Sequence, residues 1–270
     1  MVVRTISHFG RVVAFPAIVA AVAAFSLPAS ALQPLVTDDT GTQGSGGNQL
    51  EVSYNRDRTK VAGETERVST VPVVYTYGLT DTVDIFASIA YSRIRNDLPG
   101  GDASGLGNTV IGAKWRLFEN EESGTSLAIK PELAAPVSSQ RESDGLGTGK
   151  TSGKLTFILS QEVPFGAVHF NAGVGRDRYR HSEDNPKTDY TRFSVAPVWE
   201  VSEQGKLALD LGPESARADG ETVRSKFGEI GAIYSPSKDL DLALGYIRTT
   251  DDESPKSKTH SVTAGLTWRF

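Results

Sequence analysis

The sequence predicts an all-β fold, a closed antiparallel transmembrane β-barrel of about twelve strands. Three observations carry this expectation. Apolar residues alternate with polar or small ones in run after run from Leu50 to Phe270, the connections alternate long and short, and the three tryptophans fall at one end of their strands. Strict alternation marks a strand whose two faces meet unlike surroundings. A barrel whose apolar face meets lipid and whose polar face lines the interior produces that pattern.

The chain opens differently. Arg4 and Arg11 precede the apolar run Val12–Leu27, and Ala29-Ser30-Ala31 follows. A basic region, a short apolar region and a small-residue site describe a cleaved secretory signal over residues 1–31. The run is short for a membrane-spanning anchor. The mature chain is then expected to begin at Leu32, with 270 − 31 = 239 residues. N-terminal sequencing of the outer-membrane fraction should read Leu32 first, and a retained Met1 would overturn the assignment. Losing two arginines takes the formal charge from −5 to −7. So acidic a chain is a poor nucleic-acid partner, because binding phosphate needs clustered Lys and Arg. With no cysteine, no disulfide staples it, and stability must come from backbone pairing or a large core. Residues 32–48 read as a periplasmic N-terminal segment, the one part free to enter a lumen. Residues 49–270 read as the barrel.

The strands follow in order. Leu50-Val52-Tyr54 share one face, then Val71 to Leu79, Val83 to Tyr91, Thr109 to Leu117, Leu127 to Ala135 and Leu155 to Val163. Val168 to Val174, Phe193 to Val201, Leu207 to Leu211, Ile230 to Tyr234, Leu240 to Tyr246 and Val262 to Phe270 complete the set. No segment has a convincing helical period. The connections Asp57–Thr65, Arg95–Leu106, Ser138–Ser152, Tyr179–Thr188, Arg217–Thr222 and Thr249–Ser257 are expected to be long outward loops. Gly78–Thr82, Phe118–Gly124, Pro164–Gly166, Glu203–Gly205 and Ser235–Lys238 are expected to be short periplasmic turns. Such alternation is the habit of outer-membrane barrels. Trp115, Trp199 and Trp268 lie beside short turns or the C-terminus, where one membrane surface favours amphipathic rings. Tyr54, Tyr91 and Tyr246 mark the opposite strand ends. The run Asp144–Lys154 (DGLGTGKTSGK) mimics a phosphate-binding loop, but Asp144 stands where its first glycine belongs. A strand follows it rather than a helix. It reads as an outward loop.

Several stretches resemble one family. These are Gln33-Pro34-Leu35-Val36-Thr37-Asp38-Asp39 leading to Gly41-Thr42-Gln43-Gly44, Tyr77-Gly78-Leu79-Thr80-Asp81, and Gly105-Leu106-Gly107-Asn108 running into Gly112-Ala113-Lys114-Trp115. Gly147-Thr148-Gly149 and His169-Phe170-Asn171-Ala172-Gly173 also belong. Together they resemble the outer-membrane family named for the meta-pathway of phenol degradation, a group of transporter-like barrels. The resemblance covers nearly all of the mature chain. It implies passage of hydrophobic or aromatic small molecules and assigns no catalytic or binding residue.

Three functions compete at this level. The first is a channel: inward Gly112, Ala128, Gly173, Gly175, Ala208, Gly245 and Gly265 leave room for solute in a narrow barrel. The second is a closed structural or adhesive barrel. The third is a hydrolase built on inward His169 and Asn171 with Ser160 or Ser194, which lacks a fixed nucleophile spacing. No cofactor or metal site is expected, since His181 and His260 show no ligand spacing. The expected partners are outer-membrane lipid, the barrel assembly machinery that would read the terminal Trp268-Arg269-Phe270, and a small-molecule solute. The inward charges divide into a basic wall (Lys114, Arg116, Lys130, Lys154) and an acidic wall (Glu200, Asp210, Glu214, Glu229, Asp241). Either they face each other across water or they pair directly.

Overall fold

The computed structural model describes residues 33–96, 102–181 and 185–270. The expected cleavage site before Leu32 lies outside them. The strands are β1 (Asn48–Val61), β2 (Glu64–Gly78), β3 (Val83–Asn96), β4 (Ala103–Leu106), β5 (Val110–Asn120), β6 (Thr125–Ala134) and β7 (Ser152–Val163). They continue as β8 (Gly166–Asp177), β9 (Thr188–Glu200), β10 (Gly205–Ala218), β11 (Glu221–Ser237), β12 (Leu240–Asp251) and β13 (Lys258–Arg269). All pairings are antiparallel, and β1 pairs with both β2 and β13, so the sheet closes. Short β4 and β5 both pair with β3 and form one stave, giving twelve staves in the ring. Between them Gly107–Thr109 oppose only Ile89 and Ala90, a bulge that turns Asn108 out of the ladder.

The faces are inverted relative to a soluble barrel. Ile230, Leu244 and Phe193 are 62%, 63% and 55% exposed, while Glu51, Asp84, Asp210 and Glu229 are buried inside. In lipid every backbone polar group must be satisfied within the protein, and a closed ring of ladders does that.

Two of the expected long loops are absent. β1 and β2 join through Ala62-Gly63, and β10 and β11 through Asp219-Gly220, all with positive φ. These are two-residue hairpins of the primed kind, whose twist matches the strands. The sequence misled because Arg56, Arg58 and Lys60 look like loop residues, yet they keep the outward parity of Tyr54. The connections 97–102, 135–151, 178–187 and 252–257 are the longer ones. The second carries helix α1 (Ser139–Ser143), capped by Ser138, whose Oγ accepts from the Arg141 N–H. A bulge at Arg116/Phe118 breaks the alternation, leaving both Leu117 and Phe118 exposed.

Trp115, Trp199 and Trp268 point outward at the end of the barrel that carries both termini of the sheet. Their register partners are Val83, Gly166 and Leu50. Phe165 stacks on Trp199 at 5.6 Å, and Phe270 lies 4.5 Å from Trp268. Phe270 also exchanges backbone hydrogen bonds with Asn48 (3.1 and 3.0 Å), closing the ring at its last residue. Deleting Phe270 should therefore reduce the heat-modifiable barrel reaching the membrane and leave the behaviour of each assembled barrel unchanged. Unaltered assembly kinetics would refute that role.

Candidate functional site

The lumen is not an open tube. After Gln33 the chain runs across it, and Leu35 and Thr37 have no exposed surface. Leu35 packs on Ala196, Val198 and Ala208 from β9 and β10. Burying such a side chain contributes roughly 1.5–3 kcal/mol. The small inward residues expected to leave space for solute partly make the seat for this segment. A Cβ on Gly245 would stand 2.9 Å from Pro34 and 2.6 Å from Glu229, one on Gly231 would meet Pro34 and Leu35, and one on Gly265 would overlap Gln33.

Two adjacent residues tie the segment to opposite walls. The Thr37 N–H donates to Asp210 Oδ2 (2.7 Å), and Thr37 Oγ1 lies 2.7 Å from both Asp210 Oδ1 and Ser194 Oγ. Asp38 faces the other way and accepts from Lys114 Nζ (2.8 Å) and Lys130 Nζ (2.7 Å), each ammonium being nearly fully buried. Asp39 lies 3.7 Å from Lys114. Asn171, its amide turned to match, brackets Asp38, with its oxygen 2.9 Å from the N–H and its nitrogen 2.8 Å from the carbonyl. Farther on, the Thr40 N–H donates to Ser160 Oγ (3.1 Å), and the Gln43 N–H reaches Asp84 (3.1 Å). Gly46 and Gly47 then exchange backbone bonds with Gly78.

The two lumen walls therefore do not meet across water at this level. Lys114 and Lys130 are bonded to Asp38. Lys154 pairs with Glu132 (3.3 Å), and Arg116 pairs with Glu119 (3.2 Å). On the acidic side Asp210 holds Thr37, Glu214 pairs with Arg192, and Asp241 accepts from Arg269 (2.7 Å) and Ser235 (2.6 Å). Glu229 is buried beside Gly245. Glu200 is not a lumen wall: at the strand end it is exposed and pairs with Lys206 at 3.2 Å. Its inward parity runs out at the rim.

Ser160 and His169 do meet, Oγ to Nδ1 at 2.8 Å. The Thr40 N–H occupies the same serine oxygen, and Ser194 is taken up by Thr37. Among the described residues no group of three or more His, Cys, Asp or Glu could hold a metal ion.

The segment separates two cavities. One of about 280 Å³ lies toward the strand ends that carry the tryptophans and is lined by polar groups such as Gln43, Glu51, Asp84 and Arg269. One of about 130 Å³ lies toward the longer connections. Val68, Ala90, Ile94, Val110, Ala134 and Leu146 make its surface mostly apolar, and Asp57, Glu66, Glu132 and Lys154 also line it. Leu146 comes from the Ser138–Thr151 loop, which folds back toward the bore. Asn108 holds that loop: its Oδ1 accepts from the Thr148 N–H (2.8 Å), and its Nδ2 donates to the carbonyls of Thr148 (2.9 Å) and Ala135 (2.6 Å).

A closed β-ring with an apolar exterior, a charged interior and a girdle of tryptophan is an outer-membrane β-barrel. The family model described as "Putative MetA-pathway of phenol degradation" matches residues 33–270, and the chain belongs to that family. Its fold is similar to the crystal structure of an outer membrane channel from Pseudomonas putida F1. That match has TM-score 0.70 and 16% identity, covering 86% of this chain and 98% of that one. The beta domain of the Bordetella autotransporter BrkA matches with TM-score 0.55 and 14% identity, over 84% of this chain and 100% of that one. The NanC porin matches with TM-score 0.53 and 9% identity, over 80% and 98%. At such identities the likeness is one of fold. No curated protein matches the chain by sequence.

Proposed function

We propose that this protein is an outer-membrane channel admitting small, largely apolar molecules, closed at rest by Gln33–Thr40. The observation that carries the reading is the bridge at Thr37-Asp38, where neighbouring residues bond to opposite walls and block polar through-flow. The apolar lining of the outer cavity supports an apolar solute, because such pockets favour ligands that shed water on entry. Membership of the family named for phenol degradation, and a fold shared with the Pseudomonas putida F1 channel, agree with this. The protein would reach the outer membrane through the assembly machinery acting on its final strand. Of the wall charges, Lys114, Lys130 and Asp210 seat the segment, while Lys154, Arg116, Glu214 and Asp241 pair within the barrel.

The test compares uptake of a labelled aromatic hydrocarbon by cells with and without the protein, beside arabinose as a polar control. Faster aromatic entry with unchanged arabinose entry is expected. Equal aromatic entry in both strains, with no conductance in planar bilayers, would leave the closed structural barrel instead.

A further inference from the structure

We propose that the outward face of β3, β2, β1, β13 and β12, just beyond the apolar belt, binds the phosphate groups of the anionic glycolipid of the outer leaflet. The inference rests on membrane embedding and is independent of what the lumen carries.

On three of these strands the outward apolar run ends in a tyrosine and the next outward positions are basic. Tyr91 is followed by Arg93 and Arg95, Tyr54 by Arg56 and Arg58, and Tyr246 by Arg248. The register then sets arginines side by side on three strands, and the His260 ring, bonded to the Tyr246 hydroxyl (2.6 Å), lies between Arg58 and Arg248 on the next two. Arg95 faces Arg67, Arg67 faces Arg58, Arg58 faces His260, and His260 faces Arg248. Adjacent strands lie about 4.8 Å apart, and like charges placed directly opposite are destabilising. No acidic residue takes an outward position beyond the belt on these strands. Among the described residues Arg56, Arg58, Arg93, Arg95 and Arg248 have no carboxylate within 4.0 Å and are exposed. These five exposed guanidinium groups are open to anions from outside the chain.

The far side of the barrel differs. There Arg176 is bonded to Asp189 (2.5 and 3.2 Å), and Lys187 lies 3.8 Å from the same carboxylate. Arg176 and Lys187 at that side are thus paired within the protein, unlike the five exposed arginines of the arc. The whole chain is acidic, at −5, which makes a one-signed basic arc the more pointed. Tyrosines belong at the headgroup level, which puts the guanidinium groups where lipid phosphates lie. Arginine binds phosphate with paired, planar hydrogen bonds.

The experiment uses the mature protein in phosphatidylcholine nanodiscs titrated with diphosphorylated lipid A, with bound lipid counted by native mass spectrometry. The wild type should retain lipid A. R56Q/R58Q/R95Q should weaken it by about tenfold or more, in line with the attraction each basic residue contributes near an anionic surface, and R176Q should not. Lipid A stripped of both phosphates should fail to bind. Heat-modifiable migration reports whether each variant is a folded barrel. Should the triple variant not assemble, R95Q and R248Q read singly, and loss of wild-type binding in 0.5 M salt, serve the same purpose. Equal binding by wild type and folded triple variant, or equal binding of the stripped lipid, would overturn the proposal. A protein that never inserts would overturn the membrane reading itself.

Discussion

Asp38→Ala should convert a nearly silent barrel into one that conducts. The substitution leaves Lys114 and Lys130 buried without the carboxylate they share. Breaking a buried ion pair from one side costs about 3–5 kcal/mol. Asp39, at 3.7 Å from Lys114, recovers part of it, so the lower end is expected. The cost falls on the closed arrangement and not on the staves, because Asp38 is no part of the sheet. Open events in planar bilayers should rise by more than about tenfold, since each 1.4 kcal/mol is a tenfold change in population. Asp38→Asn, which keeps an acceptor, should do less. Lys114→Glu with Lys130→Glu would have shifted selectivity toward cations had the walls faced water. With both ammonium groups bonded to Asp38, it should instead gather three carboxylates in one buried place, expel the segment and lower the melting temperature. Wild-type conductance and melting in Asp38→Ala would remove the latch from the account.

The second large effect tests the exterior. Phe157 sits in mid-strand on β7, 52% exposed, between the outward Ile129 and Ala172. On the surface of a soluble protein, Phe157→Arg would change stability by about 0.5 kcal/mol or less. On the lipid face of a barrel near the bilayer centre it should cost about 2–4 kcal/mol. Reversible unfolding in lipid vesicles measures the difference directly. A near-zero effect there would mean that this face does not meet hydrocarbon.

The barrel was readable in the sequence because period-two patterning records the two faces residue by residue. It failed where polarity and period disagree: Asp57, Arg58 and Thr59 are hydrophilic enough for a loop but alternate correctly for a strand, and the structure follows the period. The inward parity of Lys114, Lys130 and Asp210 was readable too. Their partner was not, because Thr37 and Asp38 lie 76 or more residues away along the chain and outside any periodic run. A signal was nevertheless present. The stretches that carry the family resemblance are the ones that meet in space. Thr37-Asp38-Asp39 lies against Lys114 and Asn171, Gly44–Gly47 against Gly78, and Asn108 against Thr148. Short motifs scattered over a barrel and centred on glycine, asparagine and charge point to contacts made across the bore.

The closing segment remains covalently continuous with β1, and Gly46 and Gly47 fasten it to Gly78 at the barrel edge. If residues before Gly44 withdraw, they stay tethered by only a few residues to the mouth they left. A short flexible tether holds its end at an effective concentration of about millimolar. Reclosure is then a first-order event whose rate is indifferent to how much protein the membrane holds. A solute that keeps the bore open must outcompete a ligand that is always present at that concentration and cannot be washed away. Opening should therefore be brief and driven by occupancy, with the barrel returning to its closed state as soon as the solute has passed.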